Sequence, residues 1–366
     1  MIEVVIVDDS RMMRVLIDKA LTAEDDIVVV GAAADPFEAR DLIRATNPDV
    51  ITLDVEMPKM DGLEFLRRIM ALRPMPVVMV SGATTKGAET TLEALEIGAI
   101  DFVAKPGSQS GWDNFAELLR QKIRAAAAIK IRIGATTQRA CGTARPDHGG
   151  SRQMDRAISE PGIAARAGQI LQRHRRCNLV AVGASTGGVT AINRLLTDLP
   201  AAGHPPMVIA QHMPPGFTGR FADRLARTTG RNVAEASDGE SLQPGAIRLA
   251  PGDRHLRVVR SGGGLICRLG DDPPVGNHRP SVDALFSSVA AECGERAVGV
   301  ILTGMGSDGA QGLLKMRACG ARTIGEAEIS CTVYGMPKAA MKLGAVLEEF
   351  PIDALSVEVS RHVCSV

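Results

Sequence analysis

The 366-residue chain has no net charge, because 42 lysines and arginines are balanced by 42 aspartates and glutamates. A protein that binds a polyanion over much of its surface carries a basic excess, so the composition argues against nucleic acid as a partner. The sequence contains no apolar run of about 18 residues and no basic segment at its start that leads into a long apolar one. We therefore expect a cytoplasmic protein that is not inserted into a membrane.

Paired cysteine motifs are also missing. The seven cysteines are an odd number, lie far apart and include no Cys-x-x-Cys pair, which disfavours a disulfide framework and a structural zinc site. A Gly-x-x-x-x-Gly-Lys-Ser/Thr motif is absent as well, so nothing supports a nucleotide triphosphatase. The chain is longer than one hydrophobic core usually serves, and we expect two domains.

Residues 1–125 are predicted to form the first domain. Short apolar runs at 4–7, 27–30, 50–53, 77–80 and 100–103 alternate there with longer stretches of helical periodicity. This alternation predicts a parallel, doubly wound α/β sheet. The functional crevice of such a sheet lies beyond the carboxyl ends of its strands, so the residues that follow each run are the candidates for chemistry.

Five polar residues follow these runs: Asp8, Asp9, Asp54, Ser81 and Lys105. Each aspartate taken singly is best explained as a helix or turn cap, but three carboxylates at one sheet edge would repel one another. A hard divalent cation relieves that repulsion, and magnesium suits a set of ligands made only of oxygen. A lysine ammonium and a hydroxyl beside them would suit the oxygens of a phosphoryl group.

The first domain resembles two-component receiver domains, which have a flavodoxin-like fold. The residues that carry the resemblance are Asp8-Asp9, the stretch 53–62 around Asp54, Ser81-Gly82 and the stretch 98–106 that ends in Lys105-Pro106. The resemblance implies that Asp54 accepts phosphate from a chemotaxis histidine kinase and that Asp8, Asp9 and Asp54 hold Mg²⁺. It also implies that Ser81 and Lys105 contact the phosphoryl oxygens.

Residues 126–176 differ in composition from what precedes them. They are rich in glycine, serine, threonine and arginine and poor in aromatic and branched side chains. Such a segment cannot bury enough apolar surface to form its own core, and we expect a flexible linker.

Residues 177–366 are predicted to form a second α/β domain. Apolar runs at 179–182, 207–210, 247–250 and 298–302 again alternate with helical patterns and predict another parallel sheet. The section 254–269 alternates in polarity around Ser261-Gly262-Gly263-Gly264, which predicts a β-hairpin insertion.

A hydroxyl, an imidazole and a carboxylate follow three of these runs, as Ser185, His212 and Asp308. Serine needs a base at neutral pH, and the base needs a carboxylate to hold its tautomer, so the set suits acyl transfer. The pattern Gly183-x-Ser185-x-Gly187 matches the nucleophile elbow of α/β-hydrolases, but those enzymes have the chain order Ser, Asp, His. Ser185 and Asp308 could instead cap helices, and both interpretations stay open on these residues alone.

The second domain resembles the catalytic domain of chemotaxis protein-glutamate methylesterases, the CheB family. The segments that carry the resemblance are 183–188 (GASTGG), 211–217 (QHMPPGF), 302–310 (LTGMGSDGA) and 334–339 (YGMPKA). The resemblance implies that Ser185 is the nucleophile, His212 the base and Asp308 the orienting carboxylate. It also implies an oxyanion hole from backbone amides near Thr186 and Met305.

The resemblance further implies hydrolysis of glutamyl γ-methyl esters, with deamidation of glutamines, on methyl-accepting chemoreceptors, and recruitment to chemoreceptor arrays. Ester hydrolysis of this kind needs no cofactor. We expect the first domain to cover the active edge of the second until Asp54 is phosphorylated. The competing hypothesis is a non-enzymatic response regulator whose second domain binds a protein, since the sequence shows no basic recognition helix for DNA.

Overall fold

Two layered α/β units make up the part of the chain that the computed structural model describes, which is residues 1–57, 61–82, 85–106, 111–140, 177–199 and 203–363. Each unit has a parallel sheet that carries helices, as predicted. The β-hairpin predicted in the second unit is also confirmed. In the described residues, no helix is long and apolar enough to span a bilayer, and no disulfide joins two cysteines.

The first unit is built on five parallel strands in the order β2-β1-β3-β4-β5. Alternate residues of β1 enter different clusters: Val5 and Val7 pack on one face, whereas Val4 and Ile6 pack on the other. Burial on both faces explains why these strands are continuous apolar runs in the sequence. The strands are β1 (Ile2–Val7), β2 (Ile27–Ala33), β3 (Val50–Asp54), β4 (Val77–Ser81) and β5 (Asp101–Ala104).

The helices of the first unit begin at recognisable caps. The side chain of Asp35 accepts from the amides of Phe37 and Glu38, and Pro36 occupies the first turn, where its missing N–H costs nothing. The helices are α1 (Arg11–Leu21), α2 (Pro36–Thr46), α3 (Gly62–Leu72), α4 (Thr85–Ile97) and α5 (Trp112–Ala140). Helix α5 passes position 125, where the sequence placed a domain boundary, so that boundary stays a prediction. Most of the predicted linker, residues 141–176, lies outside the described residues.

The second unit is built on seven parallel strands in the order β14-β13-β12-β6-β7-β9-β8, with a separate antiparallel hairpin. The strands of the sheet are β6 (Leu179–Ala184), β7 (Met207–Gln211), β8 (Asn232–Glu235), β9 (Ala246–Leu249), β12 (Ala297–Ile301), β13 (Arg322–Glu326) and β14 (Glu348–Phe350). The hairpin consists of β10 (His255–Ser261) and β11 (Gly264–Gly270). The sequence did not predict β8, β13 and β14, which are short and carry charged residues.

Helices cover the second sheet and place their first turns at its carboxyl edge. They are α6 (Gly188–Asp198), α7 (Phe217–Thr229), α8 (Val282–Cys293), α9 (Ala310–Ala318), α10 (Met336–Lys342) and α11 (Ile352–Val363). Strands β6, β7 and β12 are adjacent in the sheet, so the loops that follow them meet at one place. That place is where the chemistry-bearing residues of the second unit lie.

Candidate functional site

The carboxyl edge of the first sheet brings together Asp8, Asp54 and Lys105. The Lys105 Nζ atom lies 2.8 Å from Asp54 Oδ2 and 2.9 Å from Asp8 Oδ2. Both aspartates are buried, and burial raises the pKa of Asp54 above its ordinary value although the Lys105 ammonium opposes that shift. The ammonium therefore offsets part of the cost of placing two carboxylates together.

The same edge offers a set of donors that fits a magnesium ion. Asp8, Asp9 and Asp54 each provide a carboxylate oxygen, and these oxygens lie within 4.8 Å of one another. Oxygen is the ligand atom that Mg²⁺ prefers, and carboxylates are its usual protein ligands.

Ser81, at the end of β4, is the fifth residue predicted for this site. Its hydroxyl is buried and contacts the carbonyl oxygens of Gly82 and Gly87, each at 3.3 Å. Among the described residues no hydrogen bond joins Ser81 to Asp54. Its role toward a phosphoryl group therefore stays a prediction.

The carboxyl edge of the second sheet brings together Ser185, His212 and Asp308. The His212 Nδ1 atom lies 3.2 Å from Ser185 Oγ, and its Nε2 atom lies 2.8 Å from Asp308 Oδ2. Because the carboxylate accepts the Nε2 proton, Nδ1 is left with the lone pair that a general base needs. Ser185 follows β6, His212 follows β7, and Asp308 lies in the loop between β12 and α9.

The first turn of α8 holds the carboxylate of Asp308. Three donors reach it: Ser281 Oγ at 2.9 Å, the Val282 amide at 2.7 Å and the Asp283 amide at 3.0 Å. Burial alone would raise the pKa of Asp308, but the hydrogen bond from His212 and the backbone amides outweigh it, and the pKa is lowered. The carboxylate therefore stays ionised at neutral pH, in hydrogen-bond contact with His212.

The turn after β6 is fastened to the loop after β12. The amide of Ser185 donates to the carbonyl of Thr303 at 3.0 Å, and the Thr303 hydroxyl donates to the carbonyl of Thr186 at 2.9 Å. A Cβ atom on Gly304 would lie 2.8 Å from that of Ser185, so the two backbones are in close contact. Within the described chain, the amides of Thr186 and Met305 donate to no protein acceptor, which leaves them available beside the serine.

Sequence reasoning missed three side chains at this site. The side-chain amide of Gln211 donates to the backbone carbonyl of Ser185 at 2.9 Å and to that of His212 at 3.1 Å. The ring of His278 is stacked on that of His212. The buried carboxyl of Glu326 accepts from the Thr303 amide at 2.8 Å. Gln211 could have been noticed beside His212, whereas His278 follows no apolar run and Glu326 ends a strand that was not predicted.

The first unit lies against this site through α4 and β5. The hydroxyl of Thr186 donates to the carboxylate of Asp101, whose other oxygen lies 2.6 Å from the Lys122 ammonium. The rings of Phe102 and Phe217 stack with centroids 4.6 Å apart. A cavity of about 240 Å³ remains between the units, with Ser185 in its wall.

Ion pairs flank the same contact. Arg224 of α7 is paired with Glu96 of α4, and Arg227 lies 3.6 Å from Glu89. The receiver-like unit therefore touches the residue that directly follows Ser185 and leaves only a small space in front of the serine.

Comparisons with known proteins cover both units. A family model described as CheB methylesterase matches residues 180–359, and one described as response regulator receiver domain matches residues 4–112. The chain is 50% identical over 355 residues to a protein-glutamate methylesterase/protein-glutamine glutaminase of Caulobacter vibrioides, which covers 97% of this chain and 96% of the relative. It is 47% identical over 364 residues to the protein of that name from Escherichia coli, with 99% and 97% covered.

A solved structure extends the likeness to three dimensions. The crystal structure of the Thermotoga maritima CheB methylesterase catalytic domain superposes with a TM-score of 0.50 and 35% identity. The match covers 51% of this chain and 99% of that structure.

Proposed function

This chain belongs to the family of CheB methylesterases, and we propose that it hydrolyses glutamyl γ-methyl esters, and deamidates glutamines, on the cytoplasmic helices of methyl-accepting chemoreceptors. The observation that carries the proposal is the hydrogen-bonded series Ser185–His212–Asp308 in a chain of that family. We further propose that phosphorylation of the first domain controls the reaction. We also propose residues 1–125 and 177–366 as the two domains and 126–176 as the linker between them, although helix α5 continues past the first boundary to Ala140.

In the proposed reaction, Ser185 Oγ attacks the carbonyl carbon of the ester or amide while His212 Nδ1 takes its proton. The imidazolium that forms is stabilised by the ionised Asp308, and the first turn of α8 holds that carboxylate in place. His212 then returns the proton to departing methanol or ammonia. Water attacks the acyl-enzyme with His212 again as base, which regenerates the Ser185 hydroxyl and leaves a γ-carboxylate on the glutamyl residue of the receptor.

The negative charge on the tetrahedral intermediate requires donors fixed in advance. The backbone amides of Thr186 and Met305 are the candidates, because Thr186 follows Ser185, Met305 follows the Gly304 that contacts Ser185, and neither amide has a protein acceptor in the described chain. Removing one such donor in serine hydrolases costs about 10²- to 10³-fold in kcat.

The first domain would receive phosphate from a histidine kinase on Asp54. Asp8, Asp9 and Asp54 would hold Mg²⁺, which when bound neutralises the charge of the phosphoryl group. Lys105 would exchange its contact with the Asp54 carboxylate for one with a phosphoryl oxygen, and Ser81 would turn toward another.

Control would act through β5. One end of this strand leads to Lys105, which contacts Asp54, and the other end carries Asp101, which binds Thr186. Lys105 follows the strand and Asp101 begins it, about 13 Å away at roughly 3.3 Å per residue. In the unphosphorylated state Asp101 binds Thr186 and α4 restricts access to Ser185. A shift of β5 and α4 on phosphorylation would loosen both contacts.

The experiment that tests the proposal replaces the nucleophile. We expect Ser185→Ala to lower the kcat of methanol release from methylated receptor membranes by about 10⁴-fold or more, as in other serine hydrolases. Phosphorylation of Asp54 by a small phosphodonor should be unchanged, which shows that the variant is folded. Undiminished methanol release would refute the assignment of Ser185.

A further inference from the structure

His278 lies face to face with the proposed base. The ring centroids of His212 and His278 are 3.8 Å apart, and their planes differ by 10°. The side chain of His212 is only 10% exposed. No hydrogen bond to a ring nitrogen of His278 occurs in the described part of the chain, so its contact with the site is made through the face of the ring.

A tight turn fixes the backbone of His278. The amide of His278 donates to the carbonyl of Val275 at 3.0 Å, and the reverse bond measures 3.1 Å. Gly276 and Asn277 between them have φ angles of 58° and 68°, as the two central residues of a type I′ turn require. The ring is therefore presented by a turn that two backbone hydrogen bonds close.

The segment on either side of His278 is tied to the support of Asp308. The buried His255 accepts at Nδ1 from the Ser281 amide, at 3.3 Å, so its Nε2 carries the proton donated to the Pro273 carbonyl at 3.1 Å. Ser281 in turn donates to Asp308. The segment 275–281 thus contains both the ring that stacks on His212 and the serine that donates to Asp308.

Burial keeps the imidazole of His278 neutral. Its pKa is lowered to about 4, first by burial and then by the neighbouring His212, with Lys122 acting in the same direction and Asp308 against it. A neutral π face can lie against the imidazolium that His212 becomes during proton transfer. A second cation there would oppose that charge.

Rotation about the Cβ–Cγ bond of His212 would carry Nδ1 and Nε2 away from Ser185 Oγ and Asp308 Oδ2, which lie 3.2 and 2.8 Å from them. That torsion is intrinsically soft, so a ring stacked on the face of the imidazole adds to the resistance that the two hydrogen bonds offer. We propose that His278 is a positioning residue that holds the plane of His212 by stacking, so that Nδ1 faces Ser185 and Nε2 faces Asp308. This inference rests on the proposed roles of those three residues.

The test compares His278→Phe, which keeps a planar ring, with His278→Leu, which keeps apolar bulk without one. Each variant is assayed in the full chain with a phosphodonor, for kcat and KM of methanol release and for the rate at which a fluorophosphonate labels Ser185. We expect Leu to lower kcat and the labelling rate by about tenfold to a hundredfold, the range in which a misplaced general base acts, with KM little changed. Phe should keep most of the wild-type rate.

Other outcomes separate the alternatives. Equal large losses in Phe and Leu would mean that a ring nitrogen acts, and equal retention would mean that the ring only fills space; either result overturns the inference. Val275→Ala, in the same turn, is the matched control and should leave kcat unchanged. If the wild-type protein itself is not labelled at Ser185, the proposed triad fails, which is a different result from normal labelling in all three proteins.

Discussion

At the scale of single residues, Glu326 is a buried carboxyl that holds the loop after β12. It is 1% exposed and accepts from the Thr303 amide and, at 3.0 Å, from Ser330 Oγ. Among the described residues it forms no ion pair with a lysine or arginine. Burial raises its pKa above the ordinary value, although those two donors act in the opposite direction.

The raised pKa of Glu326 predicts a dependence of stability on pH. A carboxyl whose pKa is higher in the folded than in the unfolded state destabilises the fold increasingly as pH rises above the unfolded value, here near 4.5. Glu326→Gln keeps an acceptor for Thr303 and does not titrate. We expect the melting temperature of the variant to gain on that of the wild type between about pH 4 and pH 8, measured by thermal unfolding. A difference that is constant over this range would contradict the prediction.

At the scale of elements, α8 holds the proposed orienting carboxylate, Asp308, through its first turn. Ser281 caps the helix by accepting from the Ala284 amide at 3.2 Å and donates its own proton to Asp308. The helix N-terminus also carries a partial positive charge, which favours a carboxylate at this position. The same turn therefore stabilises the helix and keeps Asp308 ionised.

Removing this cap should affect both roles. We expect Ser281→Ala to lower the free energy of unfolding by about 1–2 kcal/mol at neutral pH, from the lost cap and the lost bond to a charged group. The lowered pKa of Asp308 contributes its full stability only at pH values above the ordinary pKa of an aspartate. The part of the loss that comes from the bond to Asp308 should therefore fade as pH falls through the pKa of Asp308 in the folded state. Ser287→Ala on the same helix removes only a bond from Lys315 and is the control, with urea unfolding as the measurement. Equal effects of the two variants would count against the special role of Ser281.

At the scale of the whole molecule, the receiver domain lies against the catalytic domain as the proposed cover of Ser185, and ion pairs form part of that contact. The pair between Arg224 and Glu96 is partly exposed, with 18% and 33% of the two side chains accessible. Such a pair is worth about 1 kcal/mol or less. That is enough to bias a two-state contact without making it permanent.

Breaking this pair should relieve part of the proposed inhibition of the catalytic domain by the receiver domain. We expect Arg224→Ala to raise methanol release without phosphodonor by about two- to fivefold, which corresponds to the energy of such a pair, and to leave the stimulated rate unchanged. Arg220→Ala on the same helix makes the same charge change on an exposed side chain that forms no ion pair in the described chain, and should have no effect. Exchanging the charges in Arg224→Glu with Glu96→Arg should restore the low basal rate, and failure to do so would mean that another contact holds the cover. Asp54→Asn should abolish stimulation in every background.

Much of the architecture could be predicted because burial leaves a local record in the sequence. Strands buried on both faces must be apolar throughout, and parallel strands bring the residues that follow them to one edge, so Asp54 and Ser185 could be placed at the carboxyl edges of their sheets before the fold was known. Strands β8 and β14 escaped because they lie at the edges of their sheet, where polar residues are tolerated.

The sequence by itself determined the two α/β units and the strands from which the reactive side chains emerge. Only the tertiary structure decided what surrounds those side chains. The contacts that it adds are the stacking of His278 on His212, the hydrogen bonds from the first turn of α8 to Asp308, and the hydrogen bond from Thr186 to Asp101. Each of these contacts joins segments far apart in the chain, 85 residues apart in the last case. Apolar periodicity reports which face of an element is buried, but it carries no information about which distant polar group will meet another once the sheets are assembled.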